Sequence, residues 1–284
     1  MIRFLAILVG LGFVLVSAIS FVFGFAAWIG SEEVETAELK HHKHAHAPEE
    51  GFSFTGPFGH FDRQQLQRGF RVYQEVCAGC HSLSYVAFRN LEDLGYSEAE
   101  VRAIADRWPL QVPSINPETG EPATRKAIPA DNFPSPYPNE TAARAANNNA
   151  IPPDLSLIVK ARENGSNYVY SLLTGYENPP ADVEVPQGLH YNPYFHSIKI
   201  AMPKPITADG QVTYEDGTPA TVHQMATDVT AFLTWAAEPN LERRHQMGLA
   251  VLIFLIGATF LAYLAYRSVW ADRKVKKKAK RTVT

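Results

Sequence analysis

The sequence predicts a mainly α-helical protein. One exported helical domain with long loops lies between an apolar N-terminal segment and a C-terminal transmembrane helix. Three observations carry this expectation. Phe4 to Gly30 and Met247 to Tyr266 contain no charged residue. At about 1.5 Å per residue, even a run of about 20 residues covers the roughly 30 Å hydrocarbon core of a bilayer. Between the two runs, apolar residues recur at helical spacings, first Leu66, Phe70, Tyr73 and Val76, later Val222, Met225, Val229, Phe232, Leu233 and Ala236. The stretches separating these stripes are rich in Pro and Gly, and ten of the chain's 20 prolines fall between Pro109 and Pro153. Such a segment is neither a long helix nor a central strand.

Residues 1–30 form an N-terminal signal-anchor or signal peptide. Arg3 followed by an apolar stretch begins like a secretory signal, but the run far exceeds the usual 7–15 residues of one that is cleaved. Either form exports the chain downstream of it. Residues 31–51 are a polar, His-rich linker carrying Glu32, Glu33 and Glu35 and then His41, His42, His44 and His46. Nothing in that stretch fixes a metal-ligand geometry. Residues 52–244 form the exported domain, 245–267 the transmembrane anchor and 268–284 a basic tail.

Charge is divided along the chain. The formal net charge of −3 conceals −11 between the two apolar runs and +7 from Arg267 to the end. A basic cluster next to a span stays on the cytoplasmic side. Its position directly after the span argues against a nucleic-acid patch, so no nucleic-acid partner is expected. The acidic exported face favours a basic partner and salt-sensitive encounter. Glu98, Glu100, Asp182 and Glu184 are candidates for that face.

Within the domain, Asp62 with Gln65 opens the first helix, whose stripe delivers the chain to Cys77. Ser97 with Glu100 forms a capping box for a second helix, ended by Pro109. Only Glu140 to Asn147 looks helical inside the Pro-rich stretch, and Phe133, Tyr137 and Ile151 imply that the stretch packs on something, the cofactor edge being the obvious surface. Asp154 is expected to cap a helix running to Arg162, and Ser166 another stopped by Gly175. Gln211 to Glu215 reads as half of a small hairpin, and Thr218-Pro219 as the start of the last soluble helix, closed by Pro239.

The chemistry resides in Cys77-Ala78-Gly79-Cys80-His81. Two thiols three positions apart, followed at once by an imidazole, have the spacing of c-type haem attachment. Each cysteine forms a thioether to a vinyl group, and the histidine reaches the iron. A zinc site would want a second Cys/His pair, yet the chain has no third cysteine. A dithiol redox site has no need of the histidine and would follow a strand rather than a helix. With both cysteines assigned to the haem, no structural disulfide is expected.

A haem held by one histidine has an open axial position, and a methionine sulfur there suits electron transfer. Met1 is the initiator, Met225 lies on a helix stripe and Met247 at the membrane boundary. Met202 alone lies in an irregular, proline-flanked segment downstream. His190, His196 and His223 compete for the same position, and the residues alone do not choose among them.

The helix leading into the motif resembles that of a class I cytochrome c, and the wider chain is similar to the cytochrome c1 family. The likeness lies in Arg68-Gly69-Phe70-Arg71-Val72-Tyr73, in Cys77 to Ser82, and in Ala142-Ala143-Arg144-Ala145-Ala146-Asn147-Asn148. It continues through Pro152-Pro153-Asp154-Leu155-Ser156, Leu172-Leu173-Thr174-Gly175-Tyr176 and Tyr191-Asn192-Pro193-Tyr194-Phe195. Asp216-Gly217-Thr218-Pro219-Ala220-Thr221 and Trp235-Ala236-Ala237-Glu238-Pro239 complete it.

That resemblance implies one covalently attached haem c with His81 and Met202 as iron ligands. It implies Arg162 beside a haem propionate, and Asn147, Pro153 and Tyr168 lining the pocket. It also implies an electron-transfer subunit of ubiquinol–cytochrome c reductase with no acid, base or nucleophile of its own. The electron comes from the Rieske iron–sulfur protein and goes to a soluble or membrane-tethered cytochrome c. Cytochrome b is a further partner, in a dimeric complex embedded in membrane lipid. The setting is a bacterial inner membrane, with the haem domain in the periplasm and the C-terminus cytoplasmic. A free-standing tethered cytochrome and a haem-free dithiol oxidoreductase are the competing readings. The long N-terminal apolar run departs from the family pattern of a cleaved presequence.

Overall fold

The computed structural model describes residues 2–30 and 36–281. Met1, residues 31–35, with the expected linker acids Glu32, Glu33 and Glu35, and residues 282–284 lie outside them. The chain divides into two units, Met1–His41 and His42–Thr284.

The first unit holds α1 (Ile2–Gly30) and a five-residue α2 (Ala37–His41). The uninterrupted apolar composition of α1 leaves it without a polar face, and none of its side chains is buried. It is long and apolar enough to cross a membrane.

The second unit is organised around two crossed helices, α3 (Arg63–Val72) and α7 (Val222–Ala237). Asp62 caps α3 as its sequence predicts, accepting from the amides of Gln64 at 2.9 Å and Gln65 at 3.4 Å. The cap of α7 is Thr221, three residues beyond the expected Thr218, because Pro219 and Ala220 remain in the turn and the Thr221 hydroxyl accepts from Gln224 N at 3.1 Å. Leu66, Phe70 and Val72 of α3 meet Met225, Val229 and Phe232 of α7 in one buried core. Each such side chain contributes about 1.5–3 kcal/mol. The helices approach closely at Gly69, where an added Cβ would lie 2.1 Å from the Asp228 carbonyl oxygen and 2.7 Å from Phe232 Cβ. Beside that crossing, the Arg68 Nε donates to the fully buried Asp228 carboxylate at 2.9 Å, and Gln224 Nε2 donates to it at 2.8 Å.

The capping box of Ser97 and Glu100 opens α4 (Glu98–Arg107), as expected. A 3₁₀ turn over Phe88–Leu94, not anticipated from the sequence, precedes it. The Pro-rich stretch contains a hairpin of β1 (Val112–Ile115) and β2 (Pro122–Arg125), with Pro113 opposite Thr124 and Ile115 opposite Pro122. Both strands are edges, which is how a two-stranded ladder tolerates proline. Phe133 packs on the protein core. It is buried among Phe88, Trp108, Phe70 and Tyr73, with the Phe88 ring centroid at 4.2 Å. The brief helix α5 (Glu140–Ala146) forms where predicted, capped by Asn139.

Three expectations between Asp154 and Glu215 are corrected. Residues 154–162 form turns rather than a helix, because the Asp154 carboxylate is drawn to a distant segment. Ser166 does not cap α6 (Gly165–Thr174); the cap position is Asn164, at φ 62°, while the Ser166 hydroxyl pairs with Thr234 at 2.8 Å. The small hairpin is not at Gln211–Glu215 but between β3 (His190–Tyr191) and β4 (Lys199–Ile200), since the Gln211 side-chain oxygen is taken by the Thr207 amide at 2.8 Å. Gly175 ends α6 as expected; a Cβ there would meet the Tyr194 ring at 2.3 Å.

From His42 on, the expected linker is bound to the folded unit. The Lys43 amide donates to Pro193 O at 2.8 Å, and His46 N donates to Ser171 Oγ at 2.9 Å. The His42 ring lies 6.5 Å from those of His44 and His196. After α7, Glu238 pairs with Lys160 and Arg244, and α8 (Leu241–Arg281) leaves the domain as one continuous helix. Its stretch to Ala271 is long and apolar enough to cross a membrane.

Candidate haem site

A change of helical pitch delivers the motif. After α3 the backbone widens into a π turn over Tyr73–Cys77, closed by Ala78 N donating to Tyr73 O at 2.8 Å. Cys80 N and His81 N then both donate to Cys77 O, at 3.1 and 2.9 Å. Two thiols and an imidazole are thereby held on consecutive turns, and the buried Tyr73 hydroxyl donates to His81 O at 3.2 Å.

His81 is oriented by a residue 72 positions away. Its Nδ1 donates to the Pro153 carbonyl at 2.8 Å. Burial holds the imidazole below its usual value, although the Pro153 carbonyl and Asp154 act in the opposite sense. A neutral ring with Nδ1–H committed to a carbonyl leaves the Nε2 lone pair for a metal. Asp154 secures the carbonyl. Its carboxylate accepts from Ser82 Oγ at 2.8 Å, Ser84 N at 2.9 Å and Ser156 N at 2.8 Å, while Leu155 N donates to Ser82 O at 2.9 Å. Burial opposes ionisation of Asp154, but hydrogen bonds from Ser156, Ser84 and Ser82 outweigh it and hold its pKa down at about 2.

Both thiols are free, Cys80 exposed and Cys77 within the wall of the core. Burial, with a smaller contribution from Cys80, pushes the Cys77 thiol up to about 12. A dithiol oxidoreductase needs its nucleophilic cysteine shifted the other way.

Met202 sits half-buried in the bend after β4, followed by Pro203. The Tyr176 hydroxyl donates to its backbone carbonyl at 2.9 Å, and Asn192 Nδ2 donates to Leu172 O at 2.8 Å, pinning the hairpin to α6. Tyr168, packed on the core, lies close enough to Tyr176 to raise its hydroxyl pKa, after burial, and close enough to Arg162 for the guanidinium to act on its own hydroxyl. Arg162 is exposed and also reaches Ala161 O at 3.0 Å. The expected site residues thus fall into two connected sets, Cys77, Cys80, His81 and Pro153 in one, Arg162, Tyr168 and Met202 in the other. Asn147 caps α5, its amide donating to Ala143 O at 2.7 Å. Among the competing histidines, His223 Nδ1 is engaged by the Tyr170 hydroxyl at 2.9 Å.

These residues suit a haem c. The donor set is two unpaired thiols, an imidazole with only Nε2 open, a loop thioether and an exposed guanidinium. Exposed Tyr85, Ile151 and Leu157 flank the straps around the motif, apolar surface of the kind a macrocycle covers. Asp154 and Tyr176 carry more of this arrangement than sequence reasoning assigned them. The available signal was Asp154 two residues before Ser156, an Asx-turn pattern as much as a helix start.

Beyond the geometry, the Cytochrome C1 family model matches residues 52–273. The chain belongs to the cytochrome c1 family. A protein named cytochrome b/c1 from Bradyrhizobium diazoefficiens is 47% identical over 277 residues, 90% of this chain; the chain spans 39% of that protein's length. Cytochrome c1-2, heme protein, mitochondrial, of Solanum tuberosum is 45% identical over 262 residues, covering 92% of this chain and 96% of the relative. The cytochrome b-c1 complex catalytic subunit, mitochondrial, of Candida albicans is 47% identical over 233 residues, 82% of this chain and 80% of its own. As a cytochrome c1 family member the second unit is a c-type cytochrome domain, haem-containing and serving electron transport in a respiratory chain. The two long apolar helices of the chain, α1 and α8, are consistent with a membrane protein.

Proposed function

We propose that this chain is the haem c subunit of a ubiquinol–cytochrome c reductase. One haem is attached through thioethers from Cys77 and Cys80, with His81 and Met202 as iron ligands. When bound, it supplies a one-electron ferric/ferrous couple. The subunit would take one electron from the Rieske iron–sulfur protein and pass it to an oxidised cytochrome c, soluble or membrane-tethered. Cytochrome b is the other neighbour, in a dimeric assembly. The domain works in the periplasm of a bacterial inner membrane, with the basic end of α8 cytoplasmic.

The observation that carries this reading is the hydrogen bond from His81 Nδ1 to Pro153 O, 2.8 Å long, within a Cys-x-x-Cys-His turn. It sets the tautomer with which His81 would hold iron through Nε2 and that dithiol chemistry has no use for. The chain's own residues hold, orient and shield, and no proton moves. Arg162 supplies a cation for a propionate, and Asn147, Pro153 and Tyr168 line the pocket. The acidic exported domain suits a basic acceptor.

The test is purification from the native membrane. Haem staining on a denaturing gel, reduced-minus-oxidised haem bands and co-purification with cytochrome b and the Rieske protein are expected. A haem-bearing chain that purifies without those two proteins supports the free-standing tethered cytochrome instead, and a chain without haem bands removes both readings.

A further inference from the structure

Four aromatic residues open the folded unit, and one of them faces the wrong way for a core residue. Phe52, Phe54 and Phe61 are 5–6% exposed, with ring centroids 4.9 Å apart for Phe52–Phe54 and 5.5 Å for Phe54–Phe61. Phe58 is 80% exposed. Its turn is nonetheless well held. Gly59 N donates to Gly56 O at 3.3 Å and His60 N to Ser53 O at 3.1 Å. Gly59 is pressed so near the chain that an added Cβ would lie 2.2 Å from Phe54 O. A constrained turn therefore presents a bare phenyl ring.

The same turn is fastened to the anchor helix. Phe61 N donates to Glu242 Oε1 at 2.7 Å, and His245 Nδ1 donates to Gly59 O at 3.3 Å. Between turn and helix lies a cavity of about 230 Å³ whose lining includes Phe58, His60, Glu242, His245 and Leu249. Leu249 belongs to the uncharged run that begins at Met247. At about 1.5 Å per residue it lies about 7.5 Å along the helix beyond Arg244, a depth at which apolar side chains of surface-bound helices sit. The turn thus reaches past the charged residues of the first turn of α8 to the level where its apolar run begins.

We propose that the Pro57-Phe58-Gly59 turn is a membrane-surface foot, with Phe58 inserted among lipid acyl chains beside α8 and His60, Glu242 and His245 at the level of the headgroups. The occupant is lipid because the surface is continuous with the exposed Leu249, Leu252 and Ile253 of the anchor. Two attachments, a helix and a foot, fix the tilt of the cytochrome domain over the bilayer where one would leave it free to swivel. The inference rests on α8 being a membrane anchor.

With both native cysteines joined to haem, Phe58→Cys supplies the only free thiol of the haem-loaded chain. A nitroxide is placed there, and in parallel on Leu252→Cys and Glu98→Cys, in full-length protein reconstituted into phosphatidylcholine–phosphatidylglycerol vesicles. Relaxation by oxygen, which partitions into lipid, is compared with relaxation by a water-soluble nickel chelate. The oxygen-to-nickel ratio at position 58 is expected to be several-fold above that at 98 and to approach that at 252. A ratio at 58 equal to that at 98, with 252 in lipid, overturns the foot alone. An aqueous ratio at 252 overturns the anchor reading and the foot with it. In the assembled complex, with the signal of the labelled unsubstituted complex subtracted, loss of access to both relaxants at 58 assigns the site to a protein neighbour and overturns the lipid assignment.

Discussion

The imidazole of His81 donates its Nδ1 proton to the carbonyl of Pro153, 2.8 Å away across 72 residues of chain. The acceptor is backbone, so no side chain at position 153 provides it, and the neighbouring Asp154 keeps it in place. Asp154→Ala removes the acceptor of Ser82, Ser84 and Ser156 together. Each hydrogen bond to a charged group contributes about 1.5–3 kcal/mol, part of it retained by water at this half-buried site. We expect covalent haem to remain, with lower thermal stability and faster binding of exogenous imidazole to the iron. Stopped-flow absorbance reads the latter, and an unchanged rate would remove Asp154 from the positioning of His81.

Asp154 also sets an acid limit. Its pKa lies at about 2 in the folded protein against an ordinary value near 3.8. A depressed pKa means that its contribution is fully present above about pH 4 and is lost as pH falls through about 2. Denaturant titrations between pH 6 and pH 2, followed by haem absorbance, should show stability falling in that window. In Asp154→Asn this part of the slope should disappear.

Met202→Leu should leave haem covalently attached but lower its midpoint potential and slow electron transfer, because the thioether that favours the reduced iron is gone. Potentiometric titration decides it, and an unchanged potential would sink the assignment. Tyr176→Phe tests the support beneath that ligand, the 2.9 Å bond to Met202 O. Loss of about 0.5–1.5 kcal/mol should raise the apparent affinity of competing imidazole by up to about tenfold.

Cys77→Ser and Cys80→Ser each remove one thioether. Haem staining after denaturing electrophoresis should weaken in both single variants and vanish in the double. Full staining of the double variant would mean attachment elsewhere.

Gly69→Ala probes the helix crossing. With the new Cβ placed 2.1 Å from Asp228 O, α3 and α7 must separate, at a cost of about 1–3 kcal/mol. For a domain of this size that is a fall of about 2–4 °C in Tm per kcal/mol, by calorimetry of the haem-loaded protein. An unchanged Tm would show that the crossing yields without loss.

Much of this arrangement is legible in the chain because it is encoded locally. Cys77, Cys80 and His81 are nearly contiguous, so the proposed attachment motif is written in five residues. The stripes of α3 and α7, the Asp62 cap, the capping box of Ser97 and Glu100 and the two membrane-length runs depend on neighbours a few positions away, within reach of sequence periodicity. The failures have the opposite character. Asp154 reads as a helix cap only until Ser82 and Ser84 are brought beside it. Pro113 excludes a central strand, as the structure bears out, but the pairing of β1 with β2 as an edge hairpin emerges only in the fold. The histidine-rich segment reads as linker until Pro193 accepts from Lys43.

Composition and spacing therefore determined the haem-binding character, the helical class and the two helices long and apolar enough to cross a membrane, since each follows from the properties of side chains close together in the chain. Folding alone decided which carbonyl orients His81, which tyrosine supports Met202 and which of four phenylalanines is left bare beside α8. Backbone acceptors look alike in a sequence. Only packing selects among them, by bringing distant segments within hydrogen-bonding distance and leaving one surface uncovered.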